Sequence, residues 1–192
     1  MVHLFDPKNV ARLQDPERKS FQDPEKIFSL IRSYDHGDCA DLGCGSGYFT
    51  FPVEKFLRGR GVCFAVDLQP EMLSLLEKEK QEKWPEANIR TMLSTNNRLD
   101  ISDNVLELVW MVNVFHELSD SAAMIREVLR TLSPAGQFFV IDWKKEETPK
   151  GPPASERVSE IVLYDQLIDA GFTRIRSHDI YPWHYVVEAL KD

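Results

Sequence analysis

The stretch that most constrains this 192-residue chain is Asp41-Leu42-Gly43-Cys44-Gly45-Ser46-Gly47-Tyr48-Phe49. An apolar segment, Cys39 to Leu42, runs into three alternating glycines. Phe49, Val53, Phe56 and Leu57 then recur at helical spacing. A strand, a glycine turn and a helix in immediate succession belong to open α/β sheets. Glycine supplies backbone shapes that other residues resist, and it lets a ligand approach where a helix N-terminus presents unpaired N–H groups.

The rest of the chain repeats the alternation. Val62 to Val66 is a continuous apolar run, as in a strand covered on both faces. Gln69-Pro70-Glu71 opens a second helix containing Met72, Leu75 and Leu76, with a charged, solvated tail from Glu77 to Lys83. Further strands are predicted at Asn88 to Leu93, Leu106 to Phe115 and Gln137 to Trp143. Between the last two, Ser119 to Ser121 caps a helix with Ile125, Val128, Leu129 and Leu132 on one stripe, which Pro134 and Gly136 end. Lys144 to Pro153 is a polar, Pro-containing loop. A helix with Leu163 and Leu167 follows and closes at Gly171. Phe172 to Ile180 and His184 to Leu190 are the final strands. Strands alternating with helices imply βαβ units, a mostly parallel sheet with helices on both faces, and a ligand crevice at the carboxyl ends of the strands. The glycine turn, Asp67, the segment after Leu93 and the Asn113 to Glu117 corner all fall at such ends.

The N-terminal region repeats Asp6-Pro7, Asp15-Pro16-Glu17 and Asp23-Pro24-Glu25, each suited to start a helix. Two or three short helices are expected there, the last carrying Ile27, Phe28, Leu30 and Ile31. They either cover the ligand site or simply pack on the body. One domain over residues 1–192 is expected, divided into a cap at 1–36, a cofactor-binding core at 37–143 and a loop, helix and strands at 144–192. The net charge of −8 argues against a nucleic-acid partner, because duplex binding leans on clustered Lys and Arg. No apolar run reaches the roughly 20 residues that span a membrane. The N-terminus has no signal-peptide profile, and three cysteines (Cys39, Cys44, Cys63) make no disulfide framework, so a cytoplasmic location is expected. The five histidines show no metal spacing, and no metal site is expected.

The glycines stand at 43, 45 and 47. A dinucleotide fingerprint asks for glycine at 48, where this chain has Tyr48. Asp67 ends the second strand about 20 residues on, where a carboxylate suits a ribose diol. The Asp-x-Gly-x-Gly-x-Gly arrangement resembles motif I of the class I S-adenosylmethionine (SAM)-dependent methyltransferases. Leu132-Ser133-Pro134-Ala135-Gly136 is similar to the Leu-x-Pro-Gly-Gly stretch before their fifth strand, and the likeness covers about residues 37 to 143. His116-Glu117-Leu118 and Asp142-Trp143-Lys144-Lys145 look like a ubiquinone/menaquinone-type subgroup. The resemblance implies a Rossmann-like three-layer α/β/α sandwich, with a mostly parallel seven-stranded sheet and an antiparallel C-terminal strand. It also implies SAM as methyl donor and S-adenosylhomocysteine as product. Asp41, Gly43, Cys44, Gly45 and Gly47 would surround the methionine part. Asp67 would take the ribose and Leu68 would flank the adenine face, with Met72 also among the cofactor-binding residues. Thr95 and Asn96 stand where the family has an adenine-contacting Asp, and Asn113 at the end of strand four.

Catalytic residues are less legible, with His116 and Glu117 as candidates for proton transfer and its orientation. Phe21, His116, Trp143 and the 144–153 loop are expected to line the acceptor space. The acceptor is expected to be a small molecule and the protein a monomer or homodimer. Asn113-Val114-Phe115-His116 is not the Asn/Asp-Pro-Pro-aromatic motif of amino-methylating nucleic-acid enzymes. The core placement of the cysteines argues against arsenite; protein acceptors stay open. The alternatives from other classes are a SAM-binding regulator or scaffold and an NAD-dependent oxidoreductase.

Overall fold

The computed structural model describes residues 15–32, 37–94 and 98–192. Its centre is a seven-stranded sheet. The strands are β1 (Asp38–Leu42), β2 (Cys63–Asp67), β3 (Ile89–Leu93), β4 (Leu106–Val112), β5 (Leu132–Trp143), β6 (Thr173–Ser177) and β7 (His184–Leu190). Their spatial order is β3-β2-β1-β4-β5-β7-β6. Pairings from β3 through to β5 are parallel, and β7 lies antiparallel to both β5 and β6. The α helices are α1 (Arg18–Phe21), α2 (Thr50–Leu57), α3 (Pro70–Lys83), α4 (Ser121–Thr131) and α5 (Glu160–Ala170).

Alternate strand residues feed two apolar layers, because successive side chains point to opposite faces. Leu42, Val109, Met111 and Val140 pack with Ile125 and Val128 of α4 and Leu163 and Leu167 of α5. Cys39, Ala65, Leu108, Trp110 and Phe139 pack with Phe51 and Val53 of α2, Leu76 of α3, and Ile27 and Ile31 of the N-terminal segment. This is the expected three-layer sandwich. All three cysteines are buried and free.

Helix boundaries follow local chemistry. The Asp120 carboxylate accepts from Ala123 N at 2.9 Å to cap α4. Gly171, in the left-handed region at φ 101°, closes α5 with its N–H on Ile168 O and Leu167 O. Three expectations are corrected. Helix α4 stops at Thr131, and Pro134 to Gly136 belong to β5, where the pairing with β4 shifts register and Ala135 adopts φ 62°. Strand β4 ends at Val112 rather than Phe115, because Asn113 takes φ 57° and Phe115–Glu117 forms a 3-10 turn. The N-terminal region carries the four-residue α1 and a 3-10 turn at Pro24–Ile27, capped by the Asp23 side chain on Glu25 N. Asp6-Pro7 lies outside the described residues.

The parallel strands β1, β2, β4 and β5 end on one edge of the sheet. Because β7 runs the other way, its first residue, His184, pairs with Trp143 at that same edge.

Candidate active site

The glycine turn is held to β2. Gly43 N and Cys44 N both donate to Val66 O, at 2.8 and 3.0 Å. Gly43 and Gly47 have φ 73° and 90°, and a Cβ on either would strike Val114 at 2.2 Å or Phe51 at 2.4 Å. Glycine is required at both places by shape and by contact. Asp67 joins turn to strand: Oδ2 accepts from Gly45 N and Oδ1 from Gln69 N, each at 2.9 Å. Burial pushes its carboxyl above the usual range, against the pull of the amides. Asp41 lies beneath the turn, accepting from Thr50 Oγ1 at 2.6 Å, which pins the start of α2. Its burial raises its pKa to about 7.

The structure brings Asp41, Gly43, Cys44, Gly45, Gly47 and Asp67 together. Leu68 is exposed beside Asp67, Met72 is enclosed within the fold, and Thr95 and Asn96 lie outside the described residues. Ser46 was not expected from sequence. Its hydroxyl is buried in the turn with no hydrogen-bond partner among the described residues. Such an atom is uncommon in a folded protein. It fits a turn shaped around a polar ligand.

At the end of β4, Asn113 has both amide atoms engaged by the wholly buried Gln22. Gln22 Nε2 donates to Asn113 Oδ1 and Asn113 Nδ2 donates to Gln22 Oε1, both at 3.1 Å. The Tyr48 hydroxyl donates to Gln22 O at 3.2 Å, and the Arg18 guanidinium lies 4.1 Å over the Tyr48 ring. The segment around α1 is thereby tied across the strand ends. Gln22 had no local signal, because its partner is 91 positions away.

The second corner centres on His116. Its Nδ1 lies 2.8 Å from Asp142 Oδ1, and its backbone N donates to Asp142 Oδ2 at 3.1 Å. Asp142 is buried and also accepts from Trp143 N. With Nδ1–H given to Asp142, the lone pair of the ring lies on Nε2, 3.8 Å from Glu117 Oε1. Burial pulls the His116 pKa down, but Asp142 and Glu117 outweigh it and leave the imidazole above its ordinary value. Burial raises Glu117 to about 7. His116 and Glu117 are therefore placed together, and Asp142 joins them. An acid inside the apolar run Phe138 to Trp143 was the available signal, since a buried Asp demands a partner.

Glu117 carries a testable pH dependence. Its folded pKa of about 7 exceeds the ordinary 4.5, so the folded state holds the proton longer. Stability then falls as pH rises between those values. Glu117→Gln should match the wild type near pH 5 and gain about 1–2 kcal/mol over it at pH 8. Urea midpoints at the two pH values measure this. An equal offset at both would remove the claim.

Aromatic rings cluster at the end of β5. Phe21 lies 4.8 Å from Trp183 and 6.3 Å from Trp143 between ring centroids, and Trp143 lies 4.0 Å from His184. The 144–153 loop is gathered by the buried Arg157, which donates to the carbonyls of Lys144, Glu146, Lys150 and Pro152 and to the Thr148 hydroxyl.

A carboxylate set against a glycine turn at the ends of two parallel strands defines a nucleotide-type binding crevice. Residues 40–140 match the model of the methyltransferase domain family, and the chain belongs to that family, a class I SAM-dependent methyltransferase. A SAM-dependent methyltransferase from Aquifex aeolicus is 31% identical, with a TM-score of 0.91 over 98% of this chain and 100% of that one. The uncharacterized methyltransferase YcgJ of Bacillus subtilis is 28% identical over 74% of this chain and 55% of its own length. The ubiquinone/menaquinone biosynthesis C-methyltransferase of Wigglesworthia glossinidia brevipalpis is 21% identical over 79% and 58%, so the chain spans little more than half of these curated relatives. Among the described residues no helix is long and apolar enough to cross a membrane, and no group of His, Cys, Asp and Glu is arranged to hold a metal ion.

Proposed function

We propose that this protein binds SAM at the glycine turn and transfers its methyl group to a small-molecule acceptor. One observation carries the reading. The Asp67 carboxylate is bonded to Gly45 N, so the ribose-binding acid and the turn form one unit. Asp67 keeps further lone pairs for a diol, since a carboxylate offers about four acceptor sites. The buried, unpartnered Ser46 hydroxyl and the backbone from Gly43 to Gly47 suit the polar methionine part. The sulfonium supplies an already activated methyl group when bound. The chain's own contribution is positioning, water exclusion and proton removal. Leu68, at the end of β2, offers an exposed apolar face beside Asp67. His116, oriented through Nδ1 by Asp142, accepts the acceptor's proton at Nε2, and Glu117 steadies the resulting imidazolium. The small-molecule acceptor is supported by the net charge of −8 and by the quinone-methylating activity in the names of several relatives. The neighbouring rings of Phe21 and Trp143 support it too.

Calorimetry tests the donor. S-adenosylhomocysteine is expected to bind one-to-one and NADH not at all; the reverse pattern would overturn the assignment. Release of label from tritiated methyl-SAM into a small acceptor tests the transfer.

A further inference from the structure

His184 is the least satisfied polar side chain at the strand ends. It is wholly buried, and neither ring nitrogen has a hydrogen-bond partner among the described residues. Leaving a buried polar group unpaired costs about 1–3 kcal/mol. The ring is enclosed by other rings: Trp143 at 4.0 Å, Phe21 parallel to it at 6.3 Å and 4°, and Tyr181 edge-on at 6.1 Å. Trp183, half-buried on the connection between β6 and β7, lies 4.8 Å from Phe21 between ring centroids.

One buried cation, Arg157, stands against this cluster. Arg157 lies 5.2 Å from the Trp143 centroid, and all of its hydrogen-bond partners there are neutral. Lys150 Nζ lies 5.7 Å from the Phe21 centroid but is paired with Glu17, as Lys144 is with Asp179. Burial first, and then Arg18, Arg157 and Lys144, hold the His184 pKa down to about 3, so the imidazole is neutral. A neutral imidazole has one N–H to give and one lone pair to receive. That matches a hydroxyl, which also donates once and accepts, or an oxyanion on the N–H side.

We propose that Phe21, Trp143 and Trp183 form the methyl-acceptor subsite. It takes a planar ring bearing an acidic hydroxyl, and His184 is that hydroxyl's hydrogen-bond partner. The flat walls select the ring, and the unpaired imidazole selects the hydroxyl. The Arg157 charge at the Trp143 face favours a group that carries negative charge and disfavours an ammonium of the same size. Access requires Trp183, half-buried on the connection between β6 and β7, to swing aside. The proposal rests on the methyltransferase reading above.

The test uses 4-nitrophenol, with benzylammonium as cationic control, on the full chain. Titration is followed by tryptophan fluorescence and by phenolate absorption. The wild type should bind 4-nitrophenol with an increased phenolate fraction and bind benzylammonium at least tenfold more weakly. His184→Phe keeps the ring and loses the nitrogens; it should bind 4-nitrophenol at least tenfold more weakly while S-adenosylhomocysteine affinity stays unchanged. Equal 4-nitrophenol binding in both proteins overturns the proposal. So does tighter binding of benzylammonium, or no 4-nitrophenol binding by a wild type that binds S-adenosylhomocysteine. Should the variant misfold, the imidazole N–H resonances of the wild type decide: 4-nitrophenol must shift those of His184, and no shift refutes it. Failure of the wild type to bind S-adenosylhomocysteine removes the methyltransferase reading alone, since the nitrophenol comparison is made without it.

Discussion

Asp67→Ala is expected to weaken S-adenosylhomocysteine binding by about 100-fold or more. A carboxylate that takes two ribose hydroxyls makes two charge-assisted bonds, each worth about 1.5–3 kcal/mol. Part of that is offset by solvent filling the gap, which leaves roughly 3 kcal/mol, or about two orders of magnitude in affinity. The same change frees Gly45 N and Gln69 N, which now donate to Asp67 at 2.9 Å each. The turn therefore loosens as well, and the ligand must reorder it. Global stability should change far less. The raised Asp67 pKa shows that burial already works against its charge, so removal relieves a cost while orphaning two amides. Asp67→Asn keeps one acceptor oxygen and should lose about tenfold. Isothermal calorimetry alongside thermal melting separates the two effects. Wild-type affinity in the alanine variant would take Asp67 out of the site.

The glycine turn and Asp67 were legible in the sequence because their parts are local. Glycines at 43, 45 and 47 sit between Asp41 and a helix, all within nine positions, and Asp67 follows one strand later. Backbone geometry over so short a span is dictated by residue type, and Gly43 and Gly47 do occupy left-handed positions that a side chain would block. The apolar runs announced β2, β4 and β5 for a similar reason, since strands covered on both faces need no polar residues. The cluster at the ends of β4 and β5 is assembled from distant pieces. Gln22 meets Asn113, Asp142 meets His116, and His184 meets Trp143 and Phe21. No periodicity in one segment encodes a partner 26 or 91 positions away. The misplaced end of α4 has a different cause. Pro134 and Gly136 punctuate the chain as expected, but their effect is a register shift inside β5, because Leu132 already pairs with Leu106.

Arg157→Met is expected to release the 144–153 loop and to lower unfolding stability by about 3 kcal/mol. Arg157 is 3% exposed and makes the bonds that give this Pro- and Lys-rich segment a shape. Carbonyls that lose such a donor either stay buried and unpaired or turn to water, and turning to water requires the loop to leave. Methionine fills much of the volume, so the effect is not mainly a cavity. Two considerations limit the loss. The guanidinium is a buried charge whose hydrogen-bond partners are neutral, and its removal recovers desolvation energy. The loop also regains entropy when freed. Trypsin should then cut after Lys145 or Lys150 at least tenfold faster, and amide exchange should rise from 144 to 153 while β1 and β2 stay protected. S-adenosylhomocysteine affinity should hold, because the glycine turn and Asp67 sit at the ends of β1 and β2, away from this loop. Acceptor binding should fall, because Trp143 would lose the cation at its face and Lys150 its fixed position near Phe21. A variant with unchanged cleavage at Lys150 would show that the loop holds its shape without Arg157. A variant that lost S-adenosylhomocysteine binding along with the loop would show that the two sides of the crevice are not independent.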